Sequence, residues 1–176
     1  MTASSPTSSM SDAFVTVPSP IGRIEIRSNG NAITGLTIEG TDGNAYGRLP
    51  HGGAPGQADK MLTRAVKELD QYFAGKRREF SLPVEMHGTD FQKDVWAIIA
   101  ATPFGETASY GEIAERIGRH GAGRAVGGAV GANPVPIIVG CHRILASNHR
   151  ITGFSGGSGI PTKKQLLSLE GISYAD

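Results

Sequence analysis

The chain has 176 residues, of which 39 % are hydrophobic, and its formal net charge is +1, so it is long enough for one or two domains with a buried core. Its single cysteine, Cys141, excludes an internal disulfide framework and a structural zinc site built from several cysteines. No apolar run reaches the roughly 20 residues that a membrane helix needs. Residues 1–12 have no basic start and no hydrophobic core, so no signal peptide is expected. A cytoplasmic protein in a reducing compartment, without membrane contact, is expected.

The first half of the chain predicts a small antiparallel sheet with one helix. Residues 1–12 are rich in Ser, Thr and Pro and predict a disordered tail. Apolar and polar residues alternate over 23–27, which indicates a half-buried strand, and Asn29-Gly30 predicts a hairpin turn to a return strand over 33–38.

A helix is predicted next in this half, followed by an edge strand. Asp59 caps the helix and Gly75 ends it. Residues 80–84 then predict a strand, which Pro83 restricts to a sheet edge. These elements define a predicted N-terminal domain over 13–86, in which we expect no residues that carry chemistry.

The second half, 88–176, predicts a mainly helical domain. Thr89 and Ser109 each open a pattern of capping-box form, and a further helix is predicted over 121–132. The helix that Ser109 opens and the helix over 121–132 form a helix-turn-helix pattern, which is by itself a weak signal. Pro161 begins a final helix that Gly171 closes. The predicted fold class is α+β.

The helix over 121–132 is unusual because four of its interior residues, Gly123, Gly127, Gly128 and Gly131, are glycine. Each glycine costs ~1 kcal/mol relative to alanine inside a helix, and a cost of this size needs an explanation. Glycine leaves the helix with almost no side-chain bulk, so another surface can approach its backbone closely. Close packing inside the domain is one explanation, and docking into a nucleic-acid groove is the other. Arg124, a single long cation on this helix, favours docking. So does the stretch 116–164, which holds seven Lys and Arg residues and no Asp or Glu.

Cys141 follows a short apolar segment, 135–139, that predicts a buried strand. A lone cysteine is usually an inert buried residue, but this one stands beside His142 and Arg143 in the acid-free stretch. A nearby base or cation would increase its thiolate fraction. Adjacency in sequence does not establish a contact between Cys141 and His142, and Arg143 could equally be a structural anchor.

Four motifs in the second half resemble those of the O6-alkylguanine-DNA alkyltransferases. They are SYGEIAERIG, GRAVGGAVGANPVPIIVGCHRI, ITGFSGG and KKQLLSLEG. In the first half, SPIG, the Asn-Gly hairpin and DQYFAG resemble the N-terminal domain of that family more weakly. The resemblance implies direct repair of double-stranded DNA by irreversible, single-turnover transfer of an alkyl group from O6-alkylguanine, and from O4-alkylthymine, to a cysteine. It also implies minor-groove binding and extrusion of the damaged base, without a cofactor or metal, by a monomer in solution.

The resemblance also implies residue roles. Cys141 would be the alkyl acceptor, and His142 would act as its base through a water held by Glu170. Tyr110 would crowd the target phosphate and donate a hydrogen bond toward the guanine, and Asn133 would bind the turn beside the cysteine. Arg124 would fill the space that the extruded base leaves. The DNA-facing surface would comprise Tyr110, Arg124, Ala125, Gly127, Gly128 and Gly131. The pocket would comprise Arg143, Ser155, Gly156 and Gly157.

The sequence departs from the family pattern mainly at Gly140, where the family usually has proline, and at Phe154, where tyrosine is common. Three other functions remain to be weighed. A non-catalytic binder of alkylated DNA that recruits repair factors is disfavoured because such binders replace the acceptor cysteine. A helix-turn-helix regulator would need base-reading side chains that the glycine-rich helix does not offer. A cysteine hydrolase using His142 and Glu170 would turn over acyl substrates.

Overall fold

The computed structural model describes residues 12–40 and 47–175 of the chain. The predicted disordered tail therefore lies outside the described residues, apart from Asp12. An antiparallel sheet in the order β1-β2-β3 is formed by β1 (Ala13–Val17), β2 (Ile24–Ser28) and β3 (Ile33–Ile38). The sequence analysis predicted β2 and β3 but missed β1, which lies along the outer edge of β2.

The predicted hairpin between β2 and β3 is confirmed. The side-chain oxygen Oδ1 of Asn29 accepts hydrogen bonds from the backbone N–H groups of Asn31 and Ala32, both at 2.9 Å. Gly30 has φ of 94°, a left-handed conformation that glycine adopts at little cost. The turn thus satisfies its own backbone donors.

The prediction that β2 exposes one polar face is wrong at Glu25, which is completely buried. Its carboxylate accepts hydrogen bonds from the backbone N–H of His51 at 2.9 Å and from Nη1 of Arg27 at 2.8 Å, and it lies 2.9 Å from Nδ1 of His51. The His51 ring also stacks on Phe14, with 3.7 Å between ring centroids. The segment containing His51 therefore covers the face that alternation alone assigns to solvent.

Helix α1 (Lys60–Phe73) packs on the sheet and follows the predicted signals. The Asp59 side chain accepts a hydrogen bond from the backbone N–H of Leu62 at 2.7 Å, and Gly75 adopts φ of 75° after the helix end. The side chains of Leu62, Leu69 and Tyr72 are buried. The helix thus presents its apolar face to the core.

The strand predicted over 80–84 is wrong. Only Val84 makes a parallel bridge, with Ile33, and the backbone bonds on either side are Ile33 N–H to Pro83 O and Glu85 N–H to Ile33 O, each 2.9 Å. Pro83 has no N–H to donate, so the ladder cannot extend through it.

The second half is helical, with a two-stranded parallel sheet beside the helices. Its elements are α2 (Asp90–Ala100), β4 (Ala108–Ser109), α3 (Tyr110–Arg116), α4 (Gly123–Gly131), β5 (Ile144–Leu145) and α5 (Ile160–Leu169). The capping box at Thr89 is confirmed in full. At Ser109 the structure shows the N-cap bond to the N–H of Glu112, at 3.0 Å. Within the described residues, no helix has the length and apolarity to cross a membrane.

Helix α4 lies against α2 and α3 and is slightly shorter than predicted. Nε1 of Trp96, on α2, donates a hydrogen bond of 2.8 Å to the carbonyl of Ala129. Val126, Ala129 and Val130 face the core. The opposite face of α4 therefore points away from the core.

The strand predicted over 135–139 is also wrong. The segment forms tight turns, with φ of 73° at Ile137 and a bridge between Pro136 and Val139. Two features explain this. Pro134 and Pro136 lack N–H groups, and the Asn133 side chain bonds across the turn, donating to Val139 O at 2.8 Å and accepting from Val135 N–H at 3.0 Å. The buried turn leads directly into a 3₁₀ turn, Cys141–Arg143.

Candidate active site and nucleic-acid interface

Cys141 lines a cavity of about 670 Å³. This volume is in the range of small-molecule sites. The lining combines residues from α3, α4, the Cys141 turn, the 152–155 loop and α5: Tyr110, Gly123, Arg124, Gly127, Val130, Gly131, Cys141, Thr152, Gly153, Phe154, Ser155 and Lys163. Cys141 itself is only 4 % exposed. The cavity is thus the route by which a reactant could reach the sulfur.

Burial raises the pKa of the Cys141 thiol. The hydrogen bond of Asn133 and the positive charge of Lys163 lower this pKa, but their effect is smaller than that of burial. The group therefore rests as a thiol at neutral pH. A reaction at Sγ needs a base that removes the proton when the reactant is in place.

His142 is the candidate base, and its geometry determines which ring nitrogen can accept a proton. Nε2 of His142 lies 2.6 Å from Oε2 of Glu170, and both side chains are completely buried. Burial alone would raise the pKa of Glu170, but hydrogen bonds from His142 and Arg143 lower it strongly, so Glu170 is a carboxylate that only accepts. The proton therefore resides on Nε2, and Nδ1 carries the free lone pair.

Nδ1 of His142 is buried and has no protein partner among the described residues. Burial lowers the pKa of His142, and Glu170 only partly offsets this. A neutral imidazole with an available Nδ1 is what a general base near Cys141 requires. The expectation that Glu170 acts by holding a water is corrected here, because Glu170 contacts His142 directly.

Arg143 lies elsewhere than expected. Its guanidinium does not line the cavity but donates to Glu170 through Nε at 2.8 Å and Nη2 at 3.0 Å, and to the carbonyl of Thr102 at 2.8 Å. Gly140 makes room for it, since a Cβ atom at this position would lie 2.8 Å from Nη1 of Arg143. The φ angle of Gly140 is −73°, which is a value that proline also adopts. Arg143 is a structural anchor for the Glu170 carboxylate.

The glycines on the outward face of α4 make this face smooth, and they are not packed closely against the rest of the protein. A Cβ atom at Gly123 or Gly128 would have no neighbour within 4 Å, and one at Gly127 or Gly131 would make only ordinary contact at 3.9 Å. Close packing inside the molecule therefore does not account for these glycines. Arg124 projects from the same face and is exposed.

Two family models cover most of the chain. The DNA-binding domain of 6-O-methylguanine DNA methyltransferase matches residues 90–172, and the ribonuclease-like domain of the same protein matches residues 14–86. The methylated-DNA–protein-cysteine methyltransferase of Mycobacterium tuberculosis is 43 % identical over 159 residues, which are 89 % of this chain and 91 % of the relative. The constitutive enzyme of that name from Bacillus subtilis is 36 % identical over 93 % of this chain and 98 % of its own length.

The chain belongs to the methylated-DNA–protein-cysteine methyltransferase family. Its fold agrees with this membership. A crystal structure of Mycobacterium tuberculosis OGT in complex with DNA matches with a TM-score of 0.74 and 41 % identity, over 89 % of this chain and 91 % of that one.

Within this methyltransferase fold, most of the predicted site residues come together around Cys141. Tyr110 lines the cavity, and its hydroxyl lies 3.3 Å from Oγ1 of Thr152. The Ser155 hydroxyl donates to the carbonyl of Gly131 at 2.7 Å, which joins the 152–155 loop to α4. Asn133 lies below the cavity, where its amide holds the turn before Cys141. Ala125 is exposed on α4.

Gly156 and Gly157 lie toward the sheet instead. Gly156 lines a second, smaller cavity of about 230 Å³ that reaches Cys141 from the side of β2 and β3, where Arg27 and Thr37 contribute to its wall. The backbone N–H of Gly157 donates to the carbonyl of Ile38 at 3.2 Å. These glycines connect the pocket loop to the N-terminal sheet.

The sequence analysis missed two residues of the methyltransferase site. Lys163 is fully buried, lines the large cavity and donates from Nζ to the carbonyls of Ile144 at 2.6 Å and Gly153 at 3.2 Å. Burial lowers its pKa to about 8. Tyr72 donates a 2.6 Å hydrogen bond to Glu170 from the N-terminal half, where no chemistry was expected. Lys163 could have been identified from the sequence, because it is a lysine on the apolar side of a predicted helix. No sequence feature pointed to Tyr72.

Proposed function

We propose that this protein repairs alkylated DNA by transferring an alkyl group from O6 of guanine to Sγ of Cys141. The relatives are named for such a transfer, and the observation that carries the proposal is the large cavity that Cys141 lines, with His142, the next residue along the chain, paired to Glu170. O4-alkylthymine is a second substrate of the same chemistry.

The residues account for each change of bond. Nδ1 of His142 accepts the Cys141 proton, directly or through water, and Sγ forms a bond with the saturated alkyl carbon. The bond between that carbon and O6 breaks, and its electron pair moves to the guanine. The Tyr110 hydroxyl stabilises this charge, and a proton returned to the base restores guanine. The thioether product has no easy leaving group, so each molecule acts once.

The outward face of α4 supports docking to the DNA minor groove. Glycine at four of its nine positions lets a DNA backbone approach closely, and Arg124, which is exposed, lines the cavity. A stacked base cannot reach a sulfur that is 4 % exposed, so the alkylated base must leave the stack. Extrusion costs a few kcal/mol, which an inserted Arg124 side chain partly offsets. Pairing of α3 and α4 gives the helix-turn-helix that carries this surface.

Intact-mass measurement tests the proposal. The protein is mixed with a duplex that contains one O6-methylguanine, and we expect a gain of one methyl group, localised by peptide mapping to Cys141. Cys141→Ser is the matched control and should gain nothing. An unmodified protein that still binds the duplex tightly would contradict the proposal and favour the non-catalytic binder. Repeated turnover would also contradict it.

Cellular location and assembly belong to the same proposal. A free thiol that must stay reduced until it reacts supports a cytoplasmic location. The site is complete within one chain, since every group named above comes from the same molecule, which supports action as a monomer.

A further inference from the structure

Tyr72 connects the N-terminal half to the reactive centre. It lies in the last turn of α1, is completely buried, and donates from its hydroxyl to Oε2 of Glu170 at 2.6 Å, a residue 98 positions away. Its ring packs against Phe73, Phe80 and Phe104, with centroid distances of 5.3, 5.4 and 6.0 Å. The hydroxyl therefore has a defined position.

The Glu170 carboxylate is surrounded by donors. Oε2 lies within 3.0 Å of the Tyr72 hydroxyl, Nε2 of His142 and Nη2 of Arg143. Oε1 accepts from Nε of Arg143 at 2.8 Å and from the backbone N–H of Gly105 at 3.0 Å. Tyr72 and His142 thus share one oxygen, so each donor reduces the negative charge that the other meets.

Burial opposes a proton at Nδ1 of His142, and the charge that Glu170 presents to the imidazole works against this effect. The groups facing His142 from the surrounding elements are Glu170 after α5, Arg143 in its own turn and Lys163 from α5, with Cys141 adjacent. The two cations oppose protonation of His142 and the carboxylate favours it. Tyr72 acts on this balance only through Oε2, because it makes its hydrogen bond there.

We propose that Tyr72 is a positioning residue for alkyl transfer, whose hydroxyl holds the Glu170 carboxylate in place and limits the charge that Oε2 presents to His142. This inference rests on the proposed function. It assigns to the N-terminal half a part in the chemistry that is separate from its contribution to the core.

The test is the Tyr72→Phe variant, which keeps the ring and removes only the hydroxyl. Single-turnover methyl transfer from an O6-methylguanine duplex is measured from pH 5 to 9, and the His142 imidazole is titrated by NMR. Without the Tyr72 donor, Oε2 attracts the imidazolium more strongly. We expect the His142 titration and the acid limb of the rate profile both to move to higher pH, by roughly one unit.

Phe80→Leu is the matched control, because it loosens the packing of the Tyr72 ring but leaves the hydroxyl. It should lower the melting temperature without moving either titration. Unchanged titrations in Tyr72→Phe, or equal shifts in both variants, would overturn the inference and reduce Tyr72 to a packing role. Wild-type protein that gains no methyl group would instead overturn the proposed function, so the two failures are distinguishable.

Discussion

The reactivity of Cys141 depends on side chains that other parts of the chain bring to it. Burial raises the pKa of the Cys141 thiol and lowers that of His142, and in the proposed reaction the nearby charges affect how easily the thiolate forms. Lys163 is a buried cation that lines the same cavity as the sulfur. Its charge favours the thiolate, although burial keeps its own pKa near 8.

Replacing Lys163 with methionine should slow methyl transfer by roughly tenfold at neutral pH, because loss of the positive charge raises the pKa of Cys141 further. The single-turnover rate and the pH dependence of Cys141 alkylation by iodoacetamide are the measurements. Lys164→Met makes the same chemical change at the next position, which does not line the cavity, and should leave both nearly unchanged. Equal effects of the two substitutions would remove the role of Lys163.

Arg124→Ala should slow methyl transfer from duplex DNA by roughly 10- to 100-fold, since extrusion of a base costs a few kcal/mol. Reaction with free O6-benzylguanine, which needs no extrusion, should change by less than about twofold. Rates with both substrates are compared, and Arg116→Ala serves as a control for the loss of one positive charge. If Arg124→Ala slows both reactions equally, Arg124 does not replace the extruded base.

Among the helices, α4 is the one whose composition opposes its own stability. Its glycines weaken the helix, and the structure shows open space outside Gly123 and Gly128. The protein therefore retains a helix that is less stable than it could be. The proposed docking of a DNA duplex on this smooth surface would account for it.

Gly128→Ala should raise the free energy of unfolding by up to ~1 kcal/mol, because alanine favours the helix and its Cβ meets no neighbour. Gly128→Leu should fold as well but bind duplex DNA at least tenfold more weakly, because its side chain blocks close approach. Urea unfolding and fluorescence anisotropy with a labelled duplex measure the two effects. Unimpaired DNA binding by Gly128→Leu would mean that α4 does not contact the groove closely.

At the level of the whole molecule, one apolar core extends from the sheet to the C-terminal helices. Three buried carboxylates, Glu25, Glu68 and Glu170, are embedded at its margins. Burial raises the pKa of each, but hydrogen bonds and nearby cations outweigh burial, so all three pKa values lie below the ordinary 4.5. Stability is therefore coupled to the charged state of these groups.

The folded protein binds fewer protons at these sites than the unfolded chain does, so their contribution is complete above about pH 4.5 and is lost as the pH falls through the folded values. Urea unfolding should show a free energy that begins to fall below about pH 6.5, because burial lowers the pKa of His142 in the folded state, and that declines more steeply below about pH 4.5 as the carboxylates protonate. Glu25→Gln should be less stable at pH 7, with a shallower decline. An equal decline in variant and wild type would exclude Glu25 as a contributor.

The sequence alone was sufficient for features that depend on neighbouring residues or on a continuous motif. The hairpin at Asn29-Gly30, the caps at Asp59 and Thr89 and the family of the chain were all predicted correctly, as was the position of α5. The division into domains at residues 86–88, the tail and the individual roles of the site residues remain predictions.

Only the tertiary structure decided which groups meet. Glu170 contacts His142 directly, Arg143 turns away from the cavity, and Tyr72 reaches Glu170 across 98 positions. The tertiary structure also decided the burial of Glu25 and the formation of turns in place of the strand predicted over 135–139. Caps and turns arise from bonds within about four residues, which local sequence specifies. Contacts between distant segments depend on how the elements pack, and no local pattern encodes that.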